Sequence, residues 1–404
     1  MRRDDPFTHF LKNLFTLAVG IVAGSLAEPS YGQQVDSSKL VIGDIVTIHS
    51  HILGEDRNIH IYTPALSTFE KFPGQPLPVL YLTDGDALSG IVSEEVNYLS
   101  TSYFILPPMI VVGITNYDHN RMKDLTPSRP KGGYDGIKDT SAFGGGEKFL
   151  QFISGEVMPY VESHYKTEPF KIFAGHSMGG LLAFHCLVNH PDLFNAYVAV
   201  SPSLWWDSAL LVRQADKRLI GNRVKNKFLF FSDANEGGEF HQDVLLMDTL
   251  LKQNNIGGLV FKYVSYPDET HGSEPIKAVY DALRFIYPQW YPTMEDSTAT
   301  LVKNHFRRLS DTYGYRVLPP EFFVARRGSR ILRMGPARVD DAIEFFELNV
   351  ANYPASPNAY AMLADAWAKK GDKGKAIGHY KKAMELDPGN KDYQQKWQLM
   401  KQAK

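Results

Sequence analysis

Apolar, β-branched runs recur along the first three-quarters of the chain, and segments with apolar residues at helical spacing separate them. KLVIGDIVTIHSHI and NIHIYTPA predict an early hairpin that turns at Gly54-Glu55-Asp56. PLPVLYLTDGDAL (76–88) and PMIVVGITN (108–116) predict strands without polar alternation, which suits a sheet covered on both faces. The helix-like EEVNYLSTS lies between them. Further on, EKFLQFISGEVMPYVESHY places Phe149, Phe152, Ile153, Val157 and Val161 at helical spacing. Strands are predicted again at KIFA, FNAYVAVSPSLWW, NKFLFFSDAN and GLVFKYVSYP, with helices at LLAFHCLV, DSALLVRQADKRL and FHQDVLLMDTLLKQ. This alternation predicts an α/β fold with a mostly parallel sheet and helices on both faces. The ligand site of such a sheet lies at the C-terminal ends of its strands.

The pattern changes after residue 293. Pro354 and Pro388, Ala342 and Ala376, and Phe346 and Tyr380 each stand 34 residues apart. That period predicts tetratricopeptide-like helix pairs. One full repeat runs over 357–390, a degenerate one over 319–356, and 391–404 reads as a cap helix. Since about three repeats are needed for independent stability, this all-α module is expected to pack on the preceding domain or on a second subunit. Residues 294–318 read as a helical connector and 33–293 as the α/β domain.

At the other end, Arg2, Arg3 and Lys12 precede the apolar run LFTLAVGIVAGSLA at 14–27. Small residues follow at 25–32. This predicts a signal peptide over 1–32 and a periplasmic or secreted protein, with an uncleaved anchor as the alternative. The net charge of −2 gives no reason to expect nucleic acid as a partner. The single cysteine, Cys186, lies inside an apolar helix, so no intramolecular disulfide is expected.

The candidate chemistry is concentrated at Gly175-His176-Ser177-Met178-Gly179-Gly180. It follows a predicted strand and opens a predicted helix, the setting in which G-x-S-x-G presents a nucleophilic serine. A serine hydroxyl needs a base. In the chain order Ser, acid, His, the base is His271, after the last strand. The acid lies among Asp233, Glu236, Glu239 and Asp243; Glu236 fits best, in a loop made supple by Gly237 and Gly238, and Asp233 is the runner-up. Oxyanion donors are expected from the backbone amides of Met178 and Asp86. The Gly- and Pro-rich stretch 117–147 is expected beside the mouth of the site. Neither a metal-ligand spacing nor a nucleotide fingerprint is apparent, and the chemistry requires no cofactor.

VLYLTDGDAL, the Arg121-x-x-Asp124-Leu125-Thr126-Pro127 loop, GGGEKFLQFI, FAGHSMGG, FNAYVAVSPSLWW and the THG end together resemble the Putative esterase family, over roughly 38–290. The resemblance implies the α/β-hydrolase fold and a serine esterase, nearest to its siderophore-esterase branch. It assigns the nucleophile to Ser177, the base to His271, the acid to Glu236 and an oxyanion donor to Asp86. It also places Arg121 opposite anionic catecholates, against the plainer reading of an Arg121–Asp124 pair. Trp205 and Trp206 are expected as apolar walls, or else as packing aromatics. The expected partner is a small-molecule ester, with a protein partner or self-association through the repeats. Acyl transfer to an alcohol, and a non-catalytic binding protein on the same fold, are the competing readings.

Overall fold

The computed structural model describes residues 41–64, 75–102, 104–116, 121–219, 224–254, 256–292 and 298–402. The predicted signal peptide lies outside the described residues.

Eight strands form a single sheet: β1 (Asp44–Ser50), β2 (Glu55–Tyr62), β3 (Leu77–Leu82), β4 (Ile110–Ile114), β5 (Thr167–His176), β6 (Ala196–Val200), β7 (Lys227–Ala234) and β8 (Leu259–Tyr266). Their order is β1-β2-β4-β3-β5-β6-β7-β8. β1 with β2 and β2 with β4 run antiparallel, and every other pair is parallel. This is the α/β-hydrolase arrangement. β3, β4 and β6 are buried along their whole length, as their unbroken apolar sequences require. β1 and β8 are the edges and stay partly exposed. The first hairpin differs slightly from expectation. Its turn occupies 51–54, and Glu55 and Asp56 already pair in β2. Gly54 closes the turn at φ 78°, which glycine adopts without a steric penalty.

Eight of the fourteen described α-helices matter for the layers. α1 (Gly85–Asn97) follows β3. α2 (Arg121–Leu125) lies in the long β4–β5 connection. α3 (Gly146–Phe152) runs through a π-turn at Ile153–Val157 into α4 (Met158–His164). α5 (Met178–Asn189) follows β5, α6 (Trp206–Arg218) follows β6, α7 (Gly238–Gln253) follows β7 and α8 (Glu274–Ile286) follows β8. One core lies between the sheet and α3–α7, with Phe149, Phe173, Leu182, Phe184 and Phe231 fully buried. The other lies beneath α1 and α8.

That second core does not stop at the α/β domain. α9 (Ala299–Tyr313), α10 (Glu321–Arg333), α11 (Val339–Asn352), α12 (Pro357–Lys370), α13 (Lys373–Leu386) and α14 (Lys391–Gln402) continue it. Apolar contacts run without a break from Ile172 and Phe230 through Tyr287 and Phe306 to Phe346, Trp367 and Tyr380. Tyr313 sits edge-on to Phe170, 5.2 Å between ring centroids, and its hydroxyl donates to the Ile286 carbonyl at 2.8 Å. Residues 43–404 form one compact unit. The repeats therefore bury their apolar faces on the sheet's own helices, which replaces the missing third repeat.

Local signals set the helix ends here. Ser356 accepts from the Ala359 amide at 3.1 Å to start α12, and Gly371, at φ 91°, ends it. Asp372 then caps α13 through the Lys375 amide at 3.0 Å. Asp372→Ala is expected to lower unfolding stability by about 1 kcal/mol, measured by urea denaturation. An unchanged midpoint would mean that core packing alone holds the α12–α13 corner.

Candidate active site

Ser177 stands between β5 and α5 at φ 60° and ψ −117°, a strained backbone conformation for a side-chain-bearing residue. Its neighbours explain how the turn closes. A Cβ on Gly175 would overlap the backbone of Gly179, and one on Gly179 would overlap the Thr83 side chain. The turn is fastened to the next strand: the Ser177 amide donates to the Val200 carbonyl at 2.9 Å, and the Ser203 amide donates to the Ser177 carbonyl at 3.1 Å. The Ser177 hydroxyl lies 3.5 Å from that of Ser203. Met178 begins α5, so its amide has no acceptor within the helix and points along the positive end of the helix dipole.

The candidate acid and base, Glu236 and His271, lie in the loops after the last two strands. His271 Nδ1 is hydrogen-bonded to Glu236 Oε1, and the Glu236 carboxylate is almost fully buried while His271 stays part-exposed. The Asn235 amide donates to the Glu269 carbonyl at 3.0 Å, so the acid loop and the histidine loop are tied together. The His176 ring lies 4.4 Å from the His271 ring, centroid to centroid, which brings the serine turn and the histidine loop side by side. Burial drives the His176 imidazole down to about 3, and the neighbouring His271 adds to this, so His176 is a neutral wall at working pH.

Asp233 is otherwise engaged. It is fully buried, hydrogen-bonded to His241 Nδ1 and to the Tyr263 hydroxyl at 2.8 Å. Of the two carboxylates weighed, Glu236 is the one that contacts His271.

Asp86 lies in the first turn of α1. The turn before it is unusual: Asp84 takes φ 54°, and its carbonyl accepts from the amides of Ala87 and Leu88, both at 3.0 Å. Asp84 is in turn gripped by Arg121, through Nε to Oδ1 at 2.6 Å and Nη2 to Oδ2 at 2.8 Å. The Asp84 amide donates to Asn116 Oδ1 at 3.0 Å. The expected Arg121–Asp124 pair is thus not formed. Asp124 instead pairs with the buried Arg57 at 2.7 Å. Arg121 directs its guanidinium fork at Asp84 and shapes the loop that carries Asp86.

The two tryptophans differ. Trp206 is buried at 2% exposure, donates from Nε1 to the Ser128 carbonyl at 3.3 Å and packs on Phe143. It is a packing aromatic and not a wall of the open site. Trp205 is half-buried and stands 5.2 Å from Tyr134 on one side and 5.2 Å from Phe240 on the other. Phe240 is 6.1 Å from the His271 ring. Trp205 and Phe240 therefore form an aromatic wall leading to His271, with Tyr134 of the 117–147 stretch at its outer end; residues 117–120 lie outside the described residues. Phe240 and Asn116 are not singled out in the sequence, because their contacts, with Trp205 and His271 and with the Asp84 amide, are to residues distant in the chain.

A further buried acid underlies the site. Glu274, the first residue of α8, is fully buried and accepts from the Ser201 hydroxyl. Burial pushes its carboxyl up to about 7; the Ser201 hydrogen bond opposes this and the nearby Glu236 and Asp233 charges add to it.

Residues 50–233 match the Putative esterase family model, and residues 357–390 match the tetratricopeptide repeat model. The chain is 34% identical over 152 residues to a siderophore triacetylfusarinine C esterase from Aspergillus fumigatus, covering 35% of this chain and 49% of that protein. It is 30% identical over 179 residues to the ferri-bacillibactin esterase BesA from Bacillus subtilis, covering 40% of this chain and 59% of that protein. The chain thus spans about half the length of these curated relatives. An IroE-like serine hydrolase from Shewanella oneidensis superposes with a TM-score of 0.69 at 27% identity, covering 77% of this chain and 99% of that one. With the strand order and the serine turn, these matches show an α/β-hydrolase fold whose residues 50–233 are similar to the Putative esterase family and to siderophore esterases, followed by residues similar to a tetratricopeptide repeat.

Proposed function

We propose that this chain is an exported serine esterase that cleaves the ester bonds of an iron-chelating siderophore. The observation that carries the reading is the buried Glu236 carboxylate bonded to His271 Nδ1, next to a serine held in a strained turn at a helix N-terminus. Glu236 fixes the imidazole so that Nε2 is the proton acceptor. Ser177 Oγ attacks the ester carbonyl as its proton passes to His271 Nε2. Negative charge develops on the carbonyl oxygen, and the Met178 and Asp86 amides stabilise it. The C–O bond to the alcohol breaks, and His271 returns the proton to that oxygen. Water then cleaves the acyl-serine by the same route in reverse roles. The aromatic wall of Trp205 and Phe240 favours a substrate with flat rings, and the siderophore class follows the names of the similar esterases. Export rests on the basic and apolar pattern of the first 32 residues.

The direct test sets a ferric triscatecholate trilactone beside short p-nitrophenyl esters, with fluorophosphonate labelling of Ser177 in parallel. Trilactone cleavage with stoichiometric labelling is the expected result. Turnover of simple esters alone would move the substrate to other aryl or sugar esters. Neither turnover nor labelling would leave a binding protein on a hydrolase fold.

A further inference from the structure

Away from the serine, Glu147, His185 and His190 converge from two rigid elements. Glu147 lies in the first turn of α3, His185 in the middle of α5 and His190 at its C-cap. Glu147 Oε1 lies 2.6 Å from His185 Nε2, and Oε2 lies 2.8 Å from His190 Nε2. The candidate donor atoms of the three residues all fall within 4.8 Å of one another. Glu147 and His185 also line a cavity of about 210 Å³ floored by Trp206 and Leu211 and flanked by Gln214. None of these residues takes part in the proposed ester chemistry, and their spacing in sequence gives no metal signature.

We propose that this cluster is a binding site for one divalent transition-metal ion of the zinc class, with an open coordination position towards the cavity. Two imidazoles and one carboxylate are a donor set for zinc, copper or nickel; magnesium and calcium prefer all-oxygen shells. Zinc–nitrogen bonds of roughly 2.0–2.1 Å in a tetrahedron hold the donors roughly 3.3 Å apart. The two carboxylate contacts, at 2.6 and 2.8 Å, would open and the wider donor spacings, up to 4.8 Å, would close towards that value by side-chain rotation. The cavity leaves room for water as the fourth ligand.

The proton count follows from the hydrogen bonds. Without metal, each Nε2 facing the carboxylate carries a proton. With metal, each Nε2 must present its lone pair, so the ring proton moves to Nδ1. For His185 that atom lies 3.0 Å from the Asn189 side-chain amide, which must then present its oxygen. Arg218, which bonds the Asn189 oxygen at the surface, is released to solvent. Acid that protonates the imidazoles competes with the metal.

The experiment uses untagged full chain freed of metal with a chelator. Zinc and, separately, magnesium are titrated by calorimetry into wild type, Glu147→Gln and His190→Gln, and crystals grown from the zinc-loaded wild type are examined for anomalous scattering at the zinc edge. One zinc is expected at this cluster, with magnesium showing no binding there. Outer-shell partners alone are worth roughly 10–100-fold in metal affinity, so losing a ligand should weaken zinc by roughly 100-fold or more. His190 is 40% exposed at its side chain, so His190→Gln is expected to fold normally, checked by its unfolding curve. A folded His190→Gln and Glu147→Gln that bind zinc as tightly as wild type would overturn the site. So would an anomalous peak elsewhere with none between these residues. Ester hydrolysis is not a readout, so the result stands apart from the fate of the esterase reading.

Discussion

Ser177→Ala is expected to lower kcat/KM for ester hydrolysis by roughly 10³-fold or more, a loss of about 4 kcal/mol of transition-state stabilisation. The turn is closed by Gly175, Gly179 and backbone bonds to β6, none of which involves the serine hydroxyl. Alanine meets the same φ of 60° that serine does, so stability should change by less than about 0.5 kcal/mol. Activity and folding can therefore be separated. Glu236→Gln should cost roughly 10⁴-fold, because an amide can present its N–H to the imidazole and favour the wrong tautomer. Members of such a unit act together, so the double variant should be little worse than the more damaged single one. Multiplicative losses in the double variant, or a Ser177→Ala protein keeping a tenth of wild-type activity, would remove Ser177 and Glu236 from a common mechanism.

Glu274→Gln is expected to stabilise the protein at pH 8–9 by about 3 kcal/mol relative to wild type, and to leave it nearly unchanged at pH 4.5. The carboxyl's ordinary value is 4.5, and in the fold it is raised to about 7. A raised folded value means that the native state holds the proton more tightly than the unfolded chain. That advantage is complete below about pH 4.5 and is lost as pH rises through 7. Above that, wild type must keep a charge buried beside Glu236 and Asp233. The N-terminal dipole of α8 works the other way, but at ~1 kcal/mol it is the smaller effect. Glutamine is uncharged at every pH and can still accept from Ser201. Urea unfolding of both proteins across pH 4.5–9 decides the matter. Parallel stability curves would show that Glu274 does not titrate in this window.

Most of the framework was legible before any coordinates. Apolar strands, amphipathic helices and the G-x-S-x-G turn are local patterns, and local backbone chemistry enforces them. The 34-residue period marked the repeats for the same reason. The order Ser177, Glu236, His271 follows from the sequence of strand ends in this fold. What misled was nearness along the chain. Arg121 and Asp124 stand three apart, yet Asp124 pairs with Arg57 on β2, and Arg121 reaches Asp84 at the end of β3. Trp205 and Trp206 are adjacent, but the start of α6 sends one toward Phe240 and the other into the core.

The sequence by itself thus determined the order of strands and helices, the identity of the serine turn and the 34-residue repeat, because each depends on a local pattern along the chain. Tertiary structure alone decided that Arg121 serves the Asp84 turn, that burial raises the Glu274 carboxyl to about 7 beneath the site, and that the repeats share the sheet's core. These outcomes depend on desolvation and on contacts between residues tens to hundreds of positions apart, and neither quantity exists until the chain has folded.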